Sequence, residues 1–238
     1  MLTKTNSKKL NLKITAVLSF ILFISSLNSS HATEQNTPQK EVKKETENVI
    51  KKEEIKSEKL MEAKDLLSNN IVLIQTEKGP IKIKLFTKEA PITTNNFIDL
   101  IKKGFYNGTV FHRVIEGFVI QGGDPLGDGT GNYIDATTGK PRYIKLETSP
   151  SLKFDRPGRI AMARTSDPNS ASCQFFIALQ PLPSLNPGGV DAFGYAVFGQ
   201  VTEDTFETVK AIVKDSKPAF PGSDKPANPV KMFTVALE

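Results

Sequence analysis

Residues 111–124 read Phe111-His112-Arg113-Val114-Ile115-Glu116-Gly117-Phe118-Val119-Ile120-Gln121-Gly122-Gly123-Asp124. Two short apolar runs, FHRVI and FVIQGG, flank a turn, so the stretch is predicted as a pair of short strands. If residues 111–115 are extended, Arg113 shares a face with Phe111 and Ile115, while His112 and Val114 point the other way. In the second run Phe118 and Ile120 alternate with Val119 and Gln121, so every face mixes apolar and polar groups. Two readings are open at this point. One is a barrel strand whose arginine runs its stem over apolar surface to reach the rim; the other is a cation set among apolar neighbours for chemistry.

Outward from this stretch the chain continues to read mainly as strands. Upstream, IVLIQTEKG, a Lys78-Gly79-Pro80 turn and the strict alternation of Ile81-Lys82-Ile83-Lys84-Leu85-Phe86 predict a β-hairpin. Ala90-Pro91 then opens a helix, with Phe97, Leu100 and Ile101 on one face and Gly104 as its stop. Downstream come the strands RIAMA, CQFFIAL and YAVFGQV, a second amphipathic helix with Phe206, Val209, Ile212 and Val213 on one side, and the closing strand VKMFTVAL. Many strands with only two helices predict a closed barrel or a sandwich capped at its ends, not alternating βαβ units. No internal repeat is visible.

The 238 residues divide unevenly. Residues 33–69 mix both charge signs at high density, contain no aromatic side chain and have too little apolar surface to offset their ordering entropy. They are predicted as a charged, disordered linker, with a partner-docking helix as the alternative. Residues 1–32 carry Lys4, Lys8, Lys9 and Lys13, then an apolar run over 14–27, then small and polar residues ending in Ser30-His31-Ala32. That order predicts a secretory signal peptide cleaved after Ala32. The alternative, an uncleaved anchor, needs about 20 apolar residues to cross a bilayer and has a shorter run, so no stable membrane span is expected after cleavage. The expected location is the periplasm or the outside of the cell. The formal charge of +5 falls to about +1 without the four signal lysines, which gives no electrostatic reason to expect nucleic acid. Cys173, as the only cysteine, forms no intramolecular disulfide.

With the signal removed, His112 is the only histidine left. A histidine-rich metal site therefore has no ligands, Cys173 has no second thiol to share a zinc ion, and no metal is expected. No serine lies in a nucleophile-elbow sequence near which His112 would act. Gly127-Asp128-Gly129-Thr130-Gly131 lacks the lysine and helix of a phosphate loop and reads as a flexible loop.

The segment Phe111 to Asp124 resembles the cyclophilin signature over some fourteen consecutive positions. The resemblance continues through Gly127 to Gly131, Met162-Ala163-Arg164-Thr165, Ser172-Cys173-Gln174-Phe175-Phe176-Ile177 and Val197-Phe198-Gly199, and it covers residues 70–238 in the family's order. It implies an eight-stranded antiparallel closed β-barrel capped by two α-helices. It implies a peptidyl-prolyl cis-trans isomerase, resembling exported bacterial members, that assists folding of exported proteins. Arg113 is implied as the catalytic arginine, with Phe118, Val119, Phe176 and Leu185 forming the proline pocket. Gln121, Ala163, Arg164, Thr165 and Gln174 are implied to line the groove for the peptide backbone, His112 to lie at its rim, and Tyr195 to take a place often held by histidine. The loop over 183–193 is longer than in compact members. At the pocket edge, where strongly drug-responsive members have a tryptophan, the alignment puts Ser184, which implies weak cyclosporin binding.

The implied chemistry suits these residues. Rotation about an X-Pro bond crosses a barrier of about 18–20 kcal/mol because amide resonance is lost at the twisted state. No bond breaks, so a catalyst needs no nucleophile, metal or cofactor, only a site that favours the twisted amide over both planar isomers. An apolar pocket holds the pyrrolidine ring, and a permanently charged guanidinium donates to the prolyl nitrogen as it regains its lone pair. The implied partners are proline-containing unfolded or flexible polypeptides. The alternative use of such a groove is a chaperone or scaffold module that binds proline segments with little turnover.

Overall fold

The computed structural model describes residues 71–189 and 192–238. The predicted signal peptide and linker lie outside the described residues. The predicted hairpin forms from β1 (Ile71–Thr76) and β2 (Gly79–Leu85), paired antiparallel with Thr76 opposite Gly79. Alternation decides which side is buried: Val72, Ile74, Ile81, Ile83 and Leu85 face the core, while Lys82 and Lys84 do not. The Thr76 hydroxyl fixes the turn, accepting from the Lys78 N–H at 3.0 Å and donating to the Gly79 carbonyl at 2.7 Å.

Helix α1 (Pro91–Lys102) begins with proline in its first turn, where the missing N–H costs nothing. It has no side-chain cap of its own; the Glu147 carboxylate accepts from the Ile92 and Thr93 N–H groups at 3.1 and 2.9 Å. Its Phe97 sits at the centre of the core, with ring centroids 5.0 Å from Tyr106, 5.5 Å from Phe175 and 5.0 Å from Phe198. Helix α2 (Phe206–Asp215) buries Val209 and Ile212.

The other strands are β3 (Arg113–Ile115), β4 (Val119–Gly122), β5 (Arg159–Met162), β6 (Phe175–Ala178), β7 (Val197–Val201) and β8 (Met232–Leu237). All eight form one antiparallel sheet in the order β3-β4-β6-β5-β7-β2-β1-β8. The mainly β fold with two helices is as expected, but the closed barrel is not. The sheet is open and curled, because its end strands β3 and β8 share no ladder. Single contacts cross the gap: Val110 bridges Lys231, and the Phe111 and Val114 N–H groups donate to the Val230 and Asp224 carbonyls at 3.0 and 2.8 Å. The segment facing β3 contains Pro226 and Pro229, which have no N–H to donate, so a continuous ladder cannot form there.

A second correction concerns the start of β3. Phe111, expected on the face of Arg113, is fully buried, its ring 6.3 Å from Phe175. The strand begins only at Arg113, so alternation does not extend back through residues 111 and 112.

Candidate active site

The β4, β5 and β6 strands have two apolar faces. Ile120, Ile160, Met162, Phe175 and Ile177 point into the main core around Phe97. The residues between them, Val119, Ala161, Phe176 and Ala178, form a separate cluster with Phe154, Leu182, Leu185 and Val197. Sheet register sets one row across this second face: Arg113 pairs with Gln121, Gln121 with Phe176, Phe176 with Ala161, and Ala161 with Val197. Cross-strand neighbours on one face are close enough for side chains to touch. The row therefore runs from a cation through an amide to an apolar floor.

That floor lines a cavity of about 130 Å³ whose walls are Arg113, Phe118, Val119, Gln121, Ala163, Arg164, Phe176, Leu185 and Tyr195. Phe176 is its base, stacked on Phe154 at 5.8 Å with planes 8° apart and meeting Tyr195 edge-on at 5.5 Å. Leu185 comes from the short 3-10 helix Pro183–Leu185. Arg164 braces the far wall: its Nε and Nη2 donate to the Gly194 carbonyl at 3.2 and 2.7 Å, and its guanidinium lies 4.5 Å from the Tyr195 ring centroid.

A directional chain of hydrogen bonds fixes the polar side. Arg113 Nη1 donates to Gln121 Oε1 at 3.4 Å, and Gln121 Nε2 donates to Gln174 Oε1 at 2.9 Å. Gln174 Nε2 donates in turn to the carbonyls of Gly129 and Gly131 at 3.0 and 2.9 Å. Each amide thus has its oxygen toward the arginine, which fixes how both glutamines face. The chain ends on the glycine loop predicted to be flexible. That loop is tied down by buried Asp124, whose carboxylate accepts from the N–H groups of Leu126, Asp128 and Gly129.

A second, polar cavity of about 200 Å³ adjoins the first. It shares Gln121, Ala163 and Arg164 with the apolar one and adds Thr165, Gln174, Thr130, Asn132 and Ser170. Thr165 is held there by its hydroxyl, 2.8 Å from Ser170 Oγ. The two cavities make a continuous groove from an apolar pocket to a polar channel.

Of the sequence-predicted site residues, all but one meet in this groove. His112 does not: it is only 4% exposed, lines neither cavity, and both ring nitrogens lack a hydrogen-bond partner. Burial pushes its pKa below the ordinary histidine value, with the nearby Asp124 carboxylate opposing and Arg113 assisting. It precedes β3 and is buried, whereas Arg113 opens the strand and lines the apolar cavity.

Sequence reasoning missed three features. Phe154 and Leu182 support the pocket floor from outside the signature segments. Thr130, Asn132 and Ser170 give the polar cavity its donors and acceptors. Asp224 accepts from Arg113 Nε at 3.1 Å although 111 residues separate them, and no local pattern signals such a pair.

The comparisons agree with this geometry. The family described as cyclophilin type peptidyl-prolyl cis-trans isomerase/CLD matches residues 71–237. A peptidyl-prolyl cis-trans isomerase of Acinetobacter baylyi is 41% identical over 172 residues, covering 72% of this chain and 87% of that protein. The spliceosome-associated protein CWC27 homolog of Danio rerio is 38% identical over 165 residues, covering 69% of this chain but only 32% of its own length. A crystal structure of a Cryptosporidium parvum cyclophilin type peptidyl-prolyl cis-trans isomerase, obtained in the presence of the dipeptide Ala-Pro, aligns with a TM-score of 0.61 and 34% identity. It covers 71% of this chain and 98% of that one. A profile match over most of the chain, joined to an apolar pocket beside a held guanidinium, leaves one conclusion: this chain belongs to the cyclophilin-type peptidyl-prolyl cis-trans isomerase family and is an enzyme of that kind.

Proposed function

We propose that the groove isomerises X-Pro bonds in exported polypeptides, with Arg113 as the catalytic donor. The observation that carries this reading is the placement of Arg113 beside the apolar cavity floored by Phe176, in one cross-strand row with Gln121. Phe118, Val119, Phe176 and Leu185 enclose the pyrrolidine ring and exclude water from it. Gln121, Ala163, Arg164, Thr165 and Gln174 hold the peptide backbone on the polar side, which suits the segment preceding proline because its amide groups need partners. As the X-Pro amide twists, its nitrogen becomes pyramidal and accepts from the guanidinium, an interaction absent from either planar isomer. Stabilisation confined to the twisted state raises the rate. His112 has no part in this reading.

The export assignment rests on the sequence of residues 1–32, and residues 33–69 serve as a tether that gives the isomerase domain reach. The CWC27 homolog shows that the same domain type also occurs in relatives of another setting.

The test is proline isomerisation kinetics on a short peptide, comparing the chain with Arg113→Ala. The variant is expected to fold and to lose roughly a hundredfold to a thousandfold in rate, by analogy with removal of one preorganised transition-state donor. A variant within threefold of the parent chain would sink the assignment. Fusion of residues 1–32 to a reporter enzyme, followed by cell fractionation, tests export separately.

A further inference from the structure

We propose that Asp224 is a positioning residue for the isomerase reaction, holding the Arg113 guanidinium in its working orientation from an arm formed by residues 217–227. The inference rests on Arg113 being the catalytic donor.

The guanidinium is gripped at two points from two different elements. Arg113 Nη1 reaches Gln121 Oε1 on β4 at 3.4 Å, a long contact that leaves rotation about its own axis open. The second grip, Nε to Asp224 Oδ2 at 3.1 Å, comes from beyond the open edge of β3 and removes that rotation. A planar fork with five N–H donors can give two to fixed acceptors and still present the rest to a substrate.

Asp224 is itself well placed to act as a fixed acceptor. Its carbonyl accepts from the Val114 N–H at 2.8 Å, so the strand that carries the arginine also anchors the residue that orients it. The arm closes on itself through Ala219 N–H to the Lys225 carbonyl and Ala227 N–H to the Lys217 carbonyl, both at 2.8 Å, and through a bridge between Pro218 and Pro226. At its tip, the Ser223 N–H donates to the Phe220 carbonyl and the Lys225 N–H to Ser223 Oγ, both at 3.0 Å. Pro218, Pro221 and Pro226 each fix a backbone φ within the arm. The side chains of Arg113 and Asp224 are 39% and 49% exposed, so their ion pair adds little to stability. Its consequence for catalysis is therefore separable from any consequence for folding.

The test is a double-mutant cycle measured on the full chain with an X-Pro peptide, using Asp224→Ala, Arg113→Ala and the double variant. Asp224→Ala is expected to lower kcat by about threefold to tenfold with KM within about twofold, the size of coupling found between contacting groups. It should leave the thermal midpoint in place and add no loss in the Arg113→Ala background. Asp224→Asn, which keeps the shape without the charge, should lose activity in the same way, and Asp224→Glu should recover part of it. Unchanged kcat in Asp224→Ala would overturn the inference, as would an equal loss in the presence and absence of Arg113. If Arg113→Ala itself keeps its rate, the catalytic assignment fails; if only Asp224→Ala keeps its rate, the assignment stands and the positioning role falls.

Discussion

Phe175 and Phe176 are neighbours in β6 and meet opposite environments. Phe175 is fully buried, edge-on to Phe97 and Tyr106, inside the main core. Phe176 is 5% exposed on the other face, where its ring forms the base of the groove. His112 and Arg113 repeat the contrast: the histidine is shut inside, and the arginine turns outward over the cavity. The comparison teaches that one set of strands packs the main core on one face and floors, on the other, the groove on which the proposed function rests. The functional face is apolar too, but its cover is a short helix and a loop instead of α1, and that thin cover leaves a cavity.

The largest test of this contrast is to truncate both phenylalanines. Phe175→Ala is expected to cost about 3–5 kcal/mol of stability, since the close-packed rings around Phe97 collapse poorly into the space left. Phe176→Ala should cost less stability but, on the proposed function, reduce kcat/KM roughly tenfold by removing the floor of the proline pocket. Chemical denaturation and peptide kinetics on both variants settle it. Equal stability losses with unchanged activity in Phe176→Ala would remove the distinction between the faces.

A somewhat smaller effect is expected at the rim of the groove. Ser184 is exposed in the short helix that carries Leu185, and its carbonyl lies so near Gly189 that a Cβ there would meet it at 2.0 Å. The returning loop thus packs against the serine backbone. If Ser184 occupies the place of the tryptophan found in strongly drug-responsive cyclophilins, cyclosporin loses an indole N–H donor and apolar contact. The loss is about 2–4 kcal/mol, or roughly 30-fold to 1,000-fold in affinity. Tyr195, edge-on to Phe176, or Phe193 would then fill part of the gap. Calorimetric titration giving a low-nanomolar dissociation constant would refute this, and Ser184→Trp should tighten binding.

The sequence made the elements legible wherever periodicity was strong. The hairpin alternation, the proline start of α1 and the stripe of α2 all correspond to observed elements, because burial of one face dictates those patterns. Closure was not legible, since it depends on which edges find donors, and Pro226 and Pro229 act on β3 across more than a hundred residues. The groove residues were readable only through resemblance: nothing in the local pattern of Gln121 or Gln174 signals that their amides meet. His112, which the resemblance puts at the rim, is buried immediately before β3, beside the Gly129 turn that lines the polar cavity.

The smallest effect sharpens the contrast between His112 and Arg113. Burial is the main reason that the His112 pKa is lowered in the folded chain, and unfolding restores it to about 6.5. Below that value the unfolded state binds the proton more readily, so stability is fully present above about pH 6.5 and declines as pH falls toward the folded-state pKa. Hydrogen bonds hold the Asp99, Asp128, Asp135, Asp155 and Asp215 carboxyls below the usual carboxylate range, so their contribution is lost only at more acid pH. His112 is the only histidine among the described residues, so the slope between pH 7 and pH 5 is expected to be mainly its own. His112→Gln, which cannot take up a proton, should flatten that slope while leaving peptide kinetics at neutral pH unchanged. Denaturation midpoints measured at both pH values check this. An unaltered slope would mean that the ring is solvated in the folded state, and a large loss of activity would return His112 to the groove.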